Sequence, residues 1–179
     1  MKSAAGKYLF LFTIAGLIVI LDQWTKNLVR TSLTLGETWL PDSLTWLSPY
    51  ARIVHWYNTG AAFGMFQSGS TVFMVLAIIV IGAIIYYFPR VENNDWTLRL
   101  AMSMQLAGAS GNLIDRLLFD GKVTDFISVG TFPVFNVADA SISVGTVILL
   151  LGVYLQERVA QKTRVHEAEA NQPGEAASE

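Results

Sequence analysis

The chain contains no cysteine and almost no histidine, and both absences limit the chemistry that it can perform. Without cysteine there is no disulfide framework, no thiolate nucleophile and no zinc site with cysteine ligands. Of the two histidines, His166 lies in a polar tail, so only His55 is placed where it could contribute to a site. We therefore expect any proton transfer near neutral pH to depend on carboxylates with shifted pKa values, or on lysine or tyrosine.

Charged residues are scarce as well. They make up only 15% of the 179 residues, with a net charge of -2, whereas 53% of the residues are hydrophobic. A nucleic-acid-binding domain is expected to carry a basic patch or stripe, and the absence of one argues against that class. The excess of apolar residues indicates a membrane protein, and the length of the chain fits a single compact unit.

Four apolar segments are long enough to span a bilayer, which requires about 20 residues. They lie at about residues 8–28, 71–88, 97–118 and 135–155. The first segment follows Lys2 and Lys7, as in a cleavable signal peptide, but no small-x-small cleavage site follows, so we expect a retained span. The predicted fold class is an all-α integral membrane protein with four transmembrane helices.

The distribution of lysine and arginine predicts the orientation in the membrane. More of them flank the side that holds both termini, which predicts cytoplasmic termini. The polar ends of the first, third and fourth segments then point to the extracytoplasmic face, where we expect the active site. Residues 1–162 are predicted to form the membrane domain, and the Ala/Glu-rich residues 163–179 a disordered cytoplasmic tail.

The longest loop, residues 29–70, lies between the first two segments and predicts a small extracytoplasmic β/loop subdomain. Its stretch "RIVHWYN" alternates apolar and polar residues, which indicates a short strand. The loop is rich in aromatic residues, including Trp39, Trp46 and Trp56. An aromatic belt at the membrane interface is the simpler interpretation of these rings. The alternative is a platform on the bilayer that guides a substrate.

Two aspartates, Asp125 and Asp139, flank an apolar run near the start of the fourth segment. If Asn136 is the N-cap of that helix, Asp139 lies in the first turn, where the helix dipole favours a carboxylate, and this alone could explain it. Capping does not explain Asp125. If the two carboxylates are adjacent, they share a proton because both cannot easily ionise, and one can activate water while the other acts as an acid. Spacing alone does not show that they meet.

Asp22 and Lys26 are four residues apart and share a face of the first segment. They form either a local ion pair at the helix end or part of a functional site, since ionisable residues in spans are functional candidates by default.

In "GASGNLIDR", Asn112, Asp115 and Arg116 share one helix face, and the small residues before them allow close helix packing. Asp115 and Arg116 could instead simply end the helix. Asn58, in the glycine- and alanine-rich "YNTGAAFGMF", is the one polar side chain of that turn that we assign to a site.

Other chemistries fit the sequence less well. We expect no metal or other cofactor, because a Mg²⁺ or Mn²⁺ site needs more oxygen ligands than two aspartates supply. A serine–lysine dyad with Lys26 lacks an evident serine partner. A proton-coupled transporter, with Asp22, Asp125 and Asp139 relaying ions, is the alternative from a different class, although no inverted internal repeat is evident.

Five stretches, in this order along the chain, resemble the lipoprotein signal peptidase (signal peptidase II) family of bacterial intramembrane aspartyl peptidases. They are "LDQWTK", "NTGAAFG", "GASGNLIDR", "VTDFI" and "FNVADASI". The resemblance extends from the first to the fourth segment. One departure is Ala107–Ser110, where family members often have consecutive glycines.

The resemblance implies a catalytic pair formed by Asp125 and Asp139. It also implies residues that support the site or contact the substrate, namely Asp22, Lys26, Asn58, Gly60, Asn112, Arg116 and Asn136. Members of the family cleave prolipoproteins in the bacterial inner membrane, on the N-terminal side of a diacylglyceryl-modified cysteine, and are inhibited by globomycin. The expected partners are therefore that substrate and membrane lipid.

Overall fold

The computed structural model describes residues 4–60 and 69–170, which contain four long helices and a three-stranded sheet. The helices are α1 (Ala4–Ser32), α2 (Ser70–Tyr87), α3 (Trp96–Leu118) and α4 (Val137–Ala170). The chain also forms a 3-10 helix at Asp42–Leu47, and a short 3-10 turn at Phe88–Arg90 continues α2.

Three of the described helices are long and apolar enough to cross a membrane. These stretches are Gly6–Ser32, Ser70–Arg90 and Val137–Arg158. Their exposed faces carry large apolar side chains, as expected for surfaces in contact with lipid. The predicted span at residues 97–118 corresponds to α3, which is not among the three because its sequence is too polar. That α3 crosses the membrane stays a prediction.

Helix α3 lies at the centre of the bundle and packs against α1, α2 and α4. Small residues on its buried face allow this packing. A Cβ atom added at Gly111 would lie 2.6 Å from the Asp22 carboxylate on α1 and 3.2 Å from the Ala138 side chain on α4. The small residues thus serve the close helix packing that the sequence predicted.

The opposite end of the bundle from the aspartates is closed by an apolar cluster that includes Leu11, Phe88 and Leu106. There the guanidinium of Arg99 lies 5.2 Å from the centre of the Phe88 ring. Lys7 donates two hydrogen bonds of 2.7 Å, to the backbone carbonyls of Pro89 and Val91. These contacts fix the end of α2 on α1.

The sheet consists of β1 (Thr38–Trp39), β2 (Ala51–Asn58) and β3 (Val123–Val129), paired antiparallel in that order. Strand β2 confirms the strand predicted for "RIVHWYN". Its pairing with β3 places Trp56 opposite Asp125 and Asn58 opposite Val123. The two strands thus bring the loop after α1 to the segment that carries Asp125.

The sequence predicts the whole β/loop subdomain between the first two helices and a loop after α3, whereas the structure has strand β3 there. That part of the prediction was wrong. Residues 123–126 are all buried, including Thr124 and Asp125, so the alternation that marks a half-exposed strand is absent. Aspartate is also uncommon in strands, which further weakens the signal.

The predicted tail and the predicted "NTGAAFG" motif are each described only in part. Helix α4 continues to Ala170, so residues 163–170 of the tail that was predicted to be disordered are helical. Alanine, glutamate, lysine and arginine are strong helix formers, which accounts for this continuation. The remainder of that tail, 171–179, and residues 61–64 of the "NTGAAFG" motif lie outside the described residues.

Candidate active site

Asp125 lies on β3 with only 1% of its surface exposed. Its two oxygens each accept a hydrogen bond from an asparagine amide. Asn58 Nδ2 donates to Oδ2 at 3.1 Å, and Asn136 Nδ2 donates to Oδ1 at 2.7 Å. Burial, and after it the neighbouring charge of Asp139, raises the pKa of Asp125 to about 7. A carboxyl group with this pKa can carry a proton near neutral pH.

Asp139 lies in the first turn of α4. The backbone N–H of Asp139 donates to Asn136 Oδ1 at 2.9 Å, and the backbone N–H of Asn136 donates to Asp139 Oδ2 at 3.2 Å. This reciprocal pair is a capping box, so the interpretation of Asn136 as N-cap is confirmed. The other oxygen, Oδ1, accepts 2.7 Å from Asn112 Nδ2. Capping therefore engages only one of the two carboxylate oxygens.

Asn136 joins the two aspartates. It is buried, its amide nitrogen contacts Asp125, and its backbone and amide oxygen contact Asp139. The loop between the aspartates thus folds back and brings both carboxylates to one residue. Both aspartates also line the same cavity.

Asn112 extends this network from α4 to α1. Its side-chain oxygen accepts hydrogen bonds from Lys26 Nζ at 3.0 Å and from Asn136 Nδ2 at 3.1 Å, while its nitrogen donates to Asp139. One side chain therefore connects a cation, the N-cap and a carboxylate.

Asp22 and Lys26 form the ion pair that their spacing suggested, with 2.9 Å between Lys26 Nζ and Asp22 Oδ2. Both side chains are fully buried. The pair is not merely local, because Lys26 also contacts Asn112 and lies 3.6 Å from Asp115 Oδ2. The ion pair is therefore confirmed, and the pair also contacts α3 through Asn112 and Asp115.

Asn58, Gly60 and Arg116 lie on the other side of Asp125. The backbone N–H of Gly60 donates 2.9 Å to Asn58 Oδ1, which leaves the amide nitrogen of Asn58 directed at Asp125. Arg116 reaches the Gly60 carbonyl at 3.4 Å, and its buried Nε has no hydrogen-bond partner among the described residues. The guanidinium therefore keeps donor capacity at the wall of the cavity.

Four residues near the site were absent from the predicted set. Asp115 is fully buried and contacts Gln23 and Arg30, while Arg30 also donates 2.9 Å to Thr124 Oγ1. The sequence did offer a signal for Asp115, which shares a helix face with Asn112, but a helix end was an adequate explanation. Gln23, Arg30 and Thr124 contact Asp115 only through long-range packing that spacing cannot reveal.

The cavity has a volume of about 760 Å³ and lies between α2, α3 and α4. One part is polar, with the two aspartates and Arg116 in its wall. The rest is apolar, and its lining includes Phe73, Leu76, Val80, Ile142 and Val144. Such a cavity can hold a polar reacting group next to a hydrophobic chain. Within the described part of the chain, no three His, Cys, Asp or Glu residues form a group suited to a metal ion.

Comparisons with known proteins show the family to which the chain belongs. The Peptidase A8 family model, described as signal peptidase (SPase) II, matches residues 14–155. A lipoprotein signal peptidase of Halalkalibacterium halodurans is 37% identical over 158 residues, covering 86% of this chain and 97% of the relative. One from Shouchella clausii is 40% identical over 150 residues, covering 82% and 94%.

Two solved structures share the fold of this chain. A bacterial membrane enzyme determined at 2.3 Å by the in meso method superposes with a TM-score of 0.71 and 28% identity, covering 94% of each chain. A second bacterial membrane enzyme, determined at 1.9 Å, gives a TM-score of 0.70 and 32% identity, covering 80% of this chain and 91% of the other.

Proposed function

This chain belongs to the signal peptidase II family of aspartic-type proteases, and we propose that it removes the signal peptide of prolipoproteins with Asp125 and Asp139 as the catalytic pair. The observation that carries the assignment is the contact of both carboxylates with Asn136. Capping engages only one oxygen of Asp139, and Asp125 on β3 caps no helix, so a capping role does not account for both carboxylates.

In the proposed mechanism the two carboxylates share one proton. The ionised carboxylate takes a proton from a water molecule, whose oxygen attacks the carbonyl carbon of the scissile peptide bond, while the protonated carboxyl group donates its proton to the carbonyl oxygen. The tetrahedral intermediate then collapses. The C–N bond breaks as the amine nitrogen receives a proton from the pair and one hydroxyl group of the intermediate returns a proton to it. Because water is the nucleophile, no covalent enzyme intermediate forms. The raised pKa of Asp125, about 7, supports a shared proton near neutral pH.

The proposed substrate carries a diacylglyceryl-modified cysteine, and cleavage occurs on the N-terminal side of that cysteine. The apolar part of the cavity between α2 and α4 supports this assignment, because it adjoins the carboxylates and could hold a hydrocarbon chain. We propose that Arg116, whose buried Nε has no hydrogen-bond partner among residues 4–60 and 69–170, hydrogen-bonds a carbonyl of the substrate. Asn58, Asn112 and Asn136 orient the two carboxylates.

The proposed location is the bacterial cytoplasmic membrane, with both termini in the cytoplasm, α3 as the third of four spans and the site at the extracytoplasmic face. The lysine and arginine bias supports this orientation. Trp39, Trp46 and Trp56 are 54%, 68% and 53% exposed, as befits rings that lie at the membrane surface and close over a bound peptide. A proton-coupled transporter is not favoured, because the family is one of peptidases.

The test is to purify Asp125→Asn and Asp139→Asn variants and to follow cleavage of a lipid-modified precursor by gel shift. Each variant is expected to lose activity by roughly a thousandfold or more, because the shared proton or the base is removed. Asp120→Asn is the matched control, since Asp120 is exposed in the turn before β3 and asparagine tolerates its positive φ of 51°. Normal cleavage by either folded site variant would refute the catalytic pair. The unmodified protein is also expected to remain active in the presence of a metal chelator.

A further inference from the structure

A buried ionic cluster lies next to the catalytic pair. Lys26 Nζ is 2.9 Å from Asp22 Oδ2 and 3.6 Å from Asp115 Oδ2, and all three side chains are fully buried. Arg30 lies 3.5 Å from the other oxygen of Asp115. The two acids and two bases balance in formal charge. None of these side chains lines the cavity that contains the catalytic carboxylates.

Each acid of this cluster holds the backbone directly before one catalytic residue. Asp115 Oδ2 accepts a 2.8 Å hydrogen bond from the N–H of Thr124, the residue before Asp125. Asp22 Oδ1 accepts a 2.9 Å hydrogen bond from the N–H of Ala138, the residue before Asp139. The two contacts are equivalent, although one holds a strand and the other the first turn of a helix.

We propose that Asp22, Lys26 and Asp115 form a positioning triad that sets the separation of the two catalytic carboxylates. Lys26 bridges the two acids, so the distance between Thr124 and Ala138 is fixed through one ammonium group. This inference rests on the proposed function and adds to it a role for Asp115. None of the three residues touches the substrate in this proposal; they act through the backbone of β3 and α4.

Two further observations support a positioning role. Gly111 leaves the space that the Asp22 carboxylate occupies, since a Cβ atom there would lie 2.6 Å from Asp22 Oδ2. In addition, Lys26 donates to Asn112, which in turn donates to Asp139. Buried ion pairs often add little net stability over apolar residues of the same size, so their presence here is better explained by a requirement for geometry.

The first test measures kcat and KM for Asp115→Ala, Asp115→Asn, Asp22→Ala and Asp22→Asn. Alanine removes the acceptor of the backbone N–H, and we expect kcat to fall by roughly a hundredfold with KM unchanged, as for a displacement of about 1 Å at a reacting group. Asparagine keeps an acceptor oxygen but weakens the contact with Lys26, so it is expected to restore part of the activity. In the Asp22→Asn/Asp115→Asn double variant the loss should be smaller than the product of the two single losses, because both act through Lys26.

Asp95→Ala is the matched control. The Asp95 carboxylate also accepts from a backbone N–H, that of Leu98 at 3.0 Å, but at the opposite end of α3. We expect it to lower the melting temperature while kcat stays unchanged. If the triad only stabilised the fold, its variants would lose activity in proportion to their folded fraction, as we expect for Asp95→Ala.

The second test measures the geometry directly. The chain has no cysteine, so cysteines at the exposed Val129 on β3 and Val147 on α4 can be spin-labelled without background. Lys26→Met is expected to broaden or shift the distance distribution between the labels. An unchanged distance distribution would overturn the proposal. So would a double variant whose loss of kcat equals the product of the losses in the two single variants. Either of these outcomes would refute the positioning triad but not the catalytic pair, provided that Asp125→Asn is inactive. Cleavage by folded Asp125→Asn would instead refute the proposed function itself.

Discussion

The two ends of α3 use the same chemistry for different purposes. At the start of the helix, Asp95 accepts from the N–H of Leu98 at 3.0 Å and caps its own helix. Near the end, Asp115 accepts from the N–H of Thr124 at 2.8 Å, which belongs to a strand, and contacts Lys26 and Arg30 from α1. A carboxylate at one end completes a helix, whereas the carboxylate at the other end joins three elements.

Helix α1 shows the same contrast with lysine. Lys7 donates to two backbone carbonyls at the end of α2, and Lys26 lies between two buried carboxylates. Lys7 is thus held by neutral backbone acceptors, whereas Lys26, at the end with Asp125 and Asp139, is held by full charges. Charges are harder to replace, because removing one leaves its partner buried and uncompensated.

The largest effect that would sharpen this comparison is expected from Lys26→Met beside Lys7→Met. Loss of Lys26 leaves two buried carboxylates with reduced compensation and should cost about 3–5 kcal/mol of stability. Loss of Lys7 removes two hydrogen bonds to carbonyls and should cost about 1–3 kcal/mol. Thermal unfolding in detergent, together with precursor cleavage, measures both. Equal destabilisation by the two variants would contradict the distinction between the ends.

A smaller effect is expected from Gly111→Ala, with Gly152→Ala at the opposite end as its control. A Cβ atom would lie 2.6 Å from Asp22 Oδ2 in the first case and 2.6 Å from Thr97 Oγ1 in the second. Both variants should lose about 1–3 kcal/mol through overpacking. Only Gly111→Ala should also lower kcat, because it displaces Asp22. Cleavage assays at matched folded fraction test this, and a similar fall in kcat for both variants would count against it.

The smallest effect concerns pH and is expected from Asn58→Leu, compared with Asn94→Leu in the exposed turn before α3. The amide of Asn58 donates to Asp125 and stabilises its charged form, which lowers the pKa. Without this hydrogen bond the pKa of Asp125 should rise above about 7. Because Asp125 carries the shared proton, activity on the basic side of the profile would then persist to a higher pH, by up to about one pH unit. An unshifted basic limb in pH–rate measurements would show that Asn58 has no such influence.

Local patterns in the sequence predicted the elements that have a clear period or composition. Long apolar runs predicted the helices, alternation predicted β2, and the spacing of Asp22 and Lys26 predicted their ion pair. Strand β3 escaped because it is buried on both faces. A strand that is buried on both faces shows no alternation of apolar and polar residues, so the sequence pattern does not reveal it.

The site was predicted mainly through the resemblance to a family, since spacing could not show that distant segments meet. The N–H of Ala138 donates to Asp22 across 116 positions of the chain, a contact that only packing can reveal. Asp115 was set aside because a simpler explanation, the end of a helix, was sufficient for its position. Its actual partners come from α1 and β3, elements that lie before and after it in sequence.

Because Asp22 and Lys26 belong to one helix, their ion pair can form as soon as α1 is helical, before the ribosome has synthesised Asp115. A helix that inserts with this ion pair formed avoids the larger free-energy cost of inserting an unpaired acid or base into the bilayer. Thr124 and Ala138 are synthesised later, and their backbone N–H groups donate to Asp115 and Asp22 once β3 and α4 have packed against the bundle. The order of translation is thus also the order in which the cluster is completed.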